Sequence, residues 1–192
     1  SLGRFGVPSV RVDLPPDVEA IARLRAGADR WIGIDAPLDH GALVPLWFLA
    51  EAGWAGLTTV VGLPGRDDRD VLVRAGDALA TALDGLAGPV VLVASGDMSH
   101  RVLPGAPAGY DPSAAAFDLA CRDAIAQGDF TALAALEDSW RAAAAEDVVA
   151  PVTMVAAACG FDGRGAAVVS YEHPFGVGYL VAVLHEAAGG AA

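Results

Sequence analysis

The stretch from "LTTVVGLPG" through "DDRDVLVRAGDALATALDGL" to "GPVVLVASG", Leu57 to Gly96, constrains the fold more than any other part of this chain. A long amphipathic segment, opened by aspartates, lies between two short runs of apolar and β-branched residues. Continuous apolar runs of that length suit strands buried on both faces. A helix that joins two such strands makes them parallel neighbours in one sheet. The expectation is an α/β fold: a single domain with a mostly parallel central sheet flanked by helices.

The flanking segments fit that scheme. "SVRVDLPPD" alternates apolar and polar residues and stops at two prolines, as a short strand near a sheet edge does. "DVEAIARLRAGA" reads as a helix with Asp17 as N-cap and Gly27 at its end. "LDHGALVPLWFLAEAG" places Asp39 and His40 before an apolar helix running to about Gly53, with Pro45 in its first turn. "PSAAAFDLACRDAIAQG" is a helix closed by Gly128. "DFTALAALEDSWRAAAAEDVVAPVTMVAAACG" reads as one short and one longer helix, the latter bent or interrupted at Pro151. "GAAVVSYEHPFGVGYLVAVL" gives two strands joined across "EHPFG". No repeat or linker interrupts this order, so residues 1–187 are expected to form one domain, followed by a flexible Ala/Gly tail at 188–192.

Composition sets the outer limits. A chain of 192 residues buries roughly 70% of its unfolded surface on folding, enough for a sizeable core. Its formal charge of -12 excludes a nucleic-acid surface and disfavours anionic membranes, since both need clustered cations. The longest apolar runs, such as "GALVPLWFLA", are about half of the roughly 20 residues that span a bilayer. Cys121 and Cys159 lack metal-ligand spacing and read as two reduced, buried thiols. With no secretory signal visible, the expected location is cytoplasmic.

In an open parallel sheet, ligands collect at the carboxyl ends of the strands. "VASGDMSHRV" is such an end, presenting Asp97, Ser99 and His100 within four residues. His40 lies where a loop feeds a helix, and Glu172 and His173 end the strand "AAVVSYE". Taken singly each is weak: a lone His more often caps or hydrogen-bonds structure than does chemistry. Asp39 and Asp97 either orient the neighbouring imidazole or cap a turn. The Ser elbow, P-loop and dinucleotide glycine fingerprint are all missing, which removes several common enzyme classes.

Taken together, "GRFGVPSVRVDL", "LDHGALVPLWFL", "VASGDMSHRV", "GYDPSAAAFD" and "SYEHPFGVGYL" resemble the class III extradiol ring-cleavage dioxygenase B-subunit superfamily, called LigB-like. The resemblance is closest to its branch of AmmeMemoRadiSam-system and Memo proteins. It implies a non-haem iron(II) site of the two-His, one-carboxylate type that receives a catecholic or related cyclic substrate and O2. His40 matches the family's "DHG" histidine and His100 its "SH" histidine, both acid/base or hydrogen-bonding groups beside the metal, and Glu172 falls near its metal-binding carboxylate. The family's two metal histidines belong to an N-terminal segment, typically with a "HPP" motif, that would precede Ser1. Three expectations follow: a piece of a longer chain, a site completed by another polypeptide or a homo-oligomer, or loss of the metal. A fourth arrangement has His40, His100 and Glu172 holding iron, zinc or copper themselves. The alternative function is a Memo-like metal- or ligand-binding accessory protein without ring cleavage.

Overall fold

Aspartates open four of the helices. Asp17 accepts the Ala20 N–H at 2.9 Å and starts α1 (Val18–Ala26). Asp39 accepts the Ala42 N–H at 3.0 Å and starts α2 (His40–Glu51). Asp68 bonds the Asp70 and Val71 amides at the head of α3 (Arg69–Leu83). These carboxylates satisfy amides that have no partner within the helix. Helix α4 (Ala114–Gln127) ends at Gly128, whose φ of 67° is the left-handed conformation of a helix C-terminus. Asp129 then caps the short α5 (Phe130–Leu133), followed by α6 (Asp138–Ala144) and α7 (Val149–Ala158). The chain finishes with β1 (Ala167–Glu172) and β2 (Tyr179–Val183). The computed structural model describes residues 2, 6–27, 31–33, 38–63 and 68–187. Residues 3–5 of the "GRFG" stretch and the expected tail at 188–192 lie outside them.

Helix α7 is the centre of the packing. Every residue from Val149 to Ala157 is buried, as expected of a helix that is apolar all round. On one side α3 lays down its stripe of Leu72, Ala75, Gly76, Leu79 and Ala82. Gly76 lets the two backbones meet: a Cβ there would lie 2.6 Å from the Ala157 Cβ and collide with the Met154 carbonyl. On the other side Phe117, Cys121 and Ile125 of α4 join Met98, Phe130, Leu133, Val149 and Val152 in the main core. The Phe117 ring stands edge-on to Trp140, with centroids 5.5 Å apart. The β1–β2 pair closes this core with its inner face of Val168, Tyr171, Leu180 and Ala182.

Three expectations need correction. The α3 helix forms as read, but the parallel sheet that should flank it is not seen among the described residues. Their ladder is the antiparallel β1–β2 hairpin, with one parallel bridge between Pro16 and Thr58. Residues 59–63 and 89–95 have strand composition, but strand structure also needs a partner backbone, and no ladder is formed there. Val90, Val91 and Val93 are accordingly about half exposed, at 47%, 66% and 50%. The expected N-terminal edge strand shrinks to that bridge, where Thr58 donates to the Pro15 carbonyl and accepts from the Asp17 amide. Its two prolines have no N–H with which to extend the pairing.

The second correction is Pro151, which does not interrupt a helix. It is the third residue of α7, where a missing amide costs nothing. The break falls earlier, at Ala145, whose φ of 53° ends α6. The third is Pro45, which sits at the sixth position of α2, beyond the first turn. No helix among the described residues is long and apolar enough to cross a membrane.

Candidate functional site

The displaced proline has a structural consequence. In a regular helix the residue at position 45 would donate its N–H to the carbonyl of Gly41. Proline has none, and the freed Gly41 carbonyl instead accepts the Ser95 hydroxyl at 2.6 Å. That bond ties the end of the 89–95 segment to the first turn of α2, bringing His40 toward "SGDMSH". The His40 imidazole is near enough to act electrostatically on the Asp97 carboxyl. Asp39 serves as the cap of α2, the second of the two roles open to it.

His100 is held on three sides. Its amide donates to the Ala144 carbonyl at 3.0 Å, and its Nδ1 lies 2.7 Å from the Ala145 carbonyl. A carbonyl oxygen only accepts, so Nδ1 carries a proton. The Nε2 atom is 3.6 Å from Asp97 Oδ2, and the imidazole is about one-quarter exposed. The left-handed turn at Ala145 aims the carbonyl that selects the tautomer. Glu146 braces the turn with a buried carboxylate. Its Oε1 bonds Arg141 Nε at 2.6 Å and its Oε2 accepts the Val149 N–H at 2.8 Å.

Asp97 is the strained member of the group. Burial pushes its carboxyl above the ordinary range, the nearby Asp147 carboxylate adds to the rise, and His100 and His40 oppose it. Asp147 Oδ1 also accepts the Asp97 amide, while the Asp147 amide donates to the Asp97 carbonyl. Burial and the Asp97 charge likewise raise the Tyr179 hydroxyl. His40, Asp97, His100 and Tyr179 therefore share one partly exposed locus rich in proton donors and acceptors.

Glu172 lies beside this locus. It is exposed at the end of β1 and lines an open cleft of about 480 Å³ with Leu103, Tyr171, His173 and Pro174. Its cross-strand partner is Tyr179, so the two side chains share a sheet face. Among the described residues, no three His, Cys, Asp or Glu side chains are placed to hold a metal ion. His40, His100 and Glu172 thus do not form a metal-binding group, which corrects that expected arrangement. Of the remaining histidines, His173 lines the cleft and His185 bonds the Asp162 carbonyl at 2.9 Å, which ties down the segment that follows β2. Cys121 and Cys159 are free thiols, but only Cys121 is buried as expected, Cys159 being half-buried; burial raises both above their ordinary value.

Sequence reasoning missed Asp118, which is completely buried on α4. Its Oδ1 accepts the Ser99 N–H at 2.8 Å and its Oδ2 accepts the Tyr171 hydroxyl proton at 2.7 Å. The signal was a carboxylate inside the apolar stripe Ala114, Phe117, Cys121, Ile125. Ser95, Ala145 and Glu146 carried no such signal, since their roles depend on contacts far away in sequence.

The His100 imidazole thus stands beside a carboxylate, with a second imidazole and a phenol nearby. The model for the catalytic LigB subunit of aromatic ring-opening dioxygenase matches residues 28–182, and the chain belongs to that family. It is also 29% identical over 144 residues to Protein CA_C1420 of Clostridium acetobutylicum, an alignment covering 75% of this chain and 31% of that protein. The chain therefore spans about a third of the length of that relative.

Proposed function

We propose that this chain supplies the proton-transfer part of an extradiol-dioxygenase-like site that acts on a catecholic or related cyclic substrate, with O2 as co-substrate. The observation that supports it is the His100 imidazole, with Nδ1 engaged by the Ala145 carbonyl and Nε2 turned toward Asp97. In this reading a substrate hydroxyl gives its proton to Nε2, and the resulting imidazolium is stabilised by the Asp97 carboxylate. His40, on the first turn of α2, hydrogen-bonds the substrate's second oxygen. Such positioned proton transfer accelerates a reaction roughly 100- to 10,000-fold.

The family generally uses a metal, and iron(II) is the ion the resemblance implies. The described residues do not assemble its ligand group. Glu172 is proposed as a ligand offered from the end of β1, with the others lying outside the described residues. The test is O2 uptake by the natural full-length protein, reconstituted anaerobically with iron(II) and then presented with a panel of catechols. Uptake with a yellow ring-fission product is expected. Catechol binding without uptake would instead assign the cleft to a Memo-like accessory function, and neither binding nor uptake would refute both.

A further inference from the structure

We propose that Asp118 is a positioning residue, a buried fastener that holds the Ser99–His100 backbone and so fixes the tautomer of the His100 imidazole. Its significance for catalysis rests on the proton-transfer reading of His100; its geometry does not.

The Met98–His100 segment is gripped from two directions. On one side it pairs with the end of the β1–β2 turn: the Met98 amide donates to the Gly178 carbonyl at 2.9 Å and the Gly178 amide to the Ser99 carbonyl at 2.8 Å. The Val102 amide extends this grip to the Gly176 carbonyl. On the other side the α6–α7 turn receives the Ser99 hydroxyl and the His100 amide, both at the Ala144 carbonyl, and His100 Nδ1 at Ala145. The Ser99 amide belongs to neither set, and Asp118 Oδ1 is its partner. Ser99 and Asp118 are both fully buried, so no water replaces that bond if it is lost.

The second carboxylate oxygen makes the fastener a bridge. Through the Tyr171 hydroxyl, Asp118 is joined to the residue next to Glu172 as it is joined through Ser99 to the residue next to His100. The imidazoles of His100 and His173 both act on its charge, which places it behind the two loci at once. Room for it is provided by Gly178, where a Cβ would collide with Asp118 Oδ2 and lie 2.9 Å from the Met98 Cβ.

The test is the tautomer ratio of His100, read from imidazole ¹⁵N shifts in the complete chain without substrate. In Asp118→Ala the Ser99 amide loses its partner, and the Nδ1–H to Nε2–H ratio should fall about tenfold, the equivalent of one net hydrogen bond. Asp118→Asn keeps an oxygen for the Ser99 amide and should restore the wild-type ratio. Tyr171→Phe removes only the other arm and should leave the ratio unchanged. A folded Asp118→Ala protein with the wild-type ratio would overturn the proposal. If Asp118→Ala does not fold, Asp118→Asn decides: a Ser99 amide that exchanges as fast as an exposed one, despite an available acceptor, overturns it equally. A shifted ratio in a protein that never consumes O2 upholds the positioning role and sinks the catalytic reading, so the two failures are distinguishable.

Discussion

Replacing Glu146 by alanine tests how the turn that aims His100 is held. The Glu146 side chain is 1% exposed and that of Arg141, its partner at 2.6 Å, is 11% exposed. Removing one member of a buried ion pair typically costs about 3–5 kcal/mol, because the other charge stays buried. Here the low end applies, since Arg141 also lies 3.7 Å from the exposed Asp138 carboxylate. The Val149 amide at the start of α7 loses its acceptor as well, adding about 1 kcal/mol. The sum is about 4 kcal/mol, a fall of roughly 1–2 M in the urea midpoint for a chain of this size. Glu146→Gln keeps an acceptor for Val149 and should lose only about 2 kcal/mol. A Glu146→Ala loss below about 1 kcal/mol would refute the reasoning, because the pair would then contribute no more than an exposed one.

Further substitutions probe the remaining supports. Asp97 has a raised pKa, so its charged form is the one the fold disfavours: its contribution to stability is present below the unfolded value of 3.8 and is lost as pH rises through the folded value. Asp97→Asn should therefore be more stable than wild type at neutral pH, with the gain vanishing in acid; denaturant midpoints across pH check this, and a pH-independent difference would contradict it. Gly76→Ala should cost about 1–3 kcal/mol in the same measurement, because its methyl group meets the α7 backbone. Ser95→Ala removes the tie to the Gly41 carbonyl at a cost of about 0.5–1.5 kcal/mol, and the His40 resonances should shift with it. Cys121 is fully buried with its thiol pushed up, so a disulfide reagent should label the half-buried Cys159 first and reach Cys121 only on unfolding.

The local code was legible wherever one residue type has one physical use. Asp17 and Asp39 cap helices, Gly128 closes α4, and the "EHPFG" turn joins two strands as its Pro and Gly suggest. His100 and His40 were found because a polar group at the end of an apolar run stands out. The parallel sheet is not seen among the described residues: a run such as "PVVLVAS" states a preference for extended structure and says nothing of its partner. Pro45 was placed a turn too early because α2 begins at His40 itself, and its use, freeing the Gly41 carbonyl for Ser95, links residues 54 positions apart. Asp118 was passed over for the same reason. Its two partners, Ser99 and Tyr171, lie 19 and 53 residues away.

The central claim is that His100 moves the proton. Its most direct test compares O2 uptake by the iron(II)-loaded full-length protein, with a catechol it accepts, before and after His100→Gln. The substitution places a neutral amide near the position of Nε2 and leaves no titratable group. The account predicts that kcat falls roughly 100- to 10,000-fold while substrate affinity changes little. A His100→Gln protein that consumes O2 at the wild-type rate would contradict it.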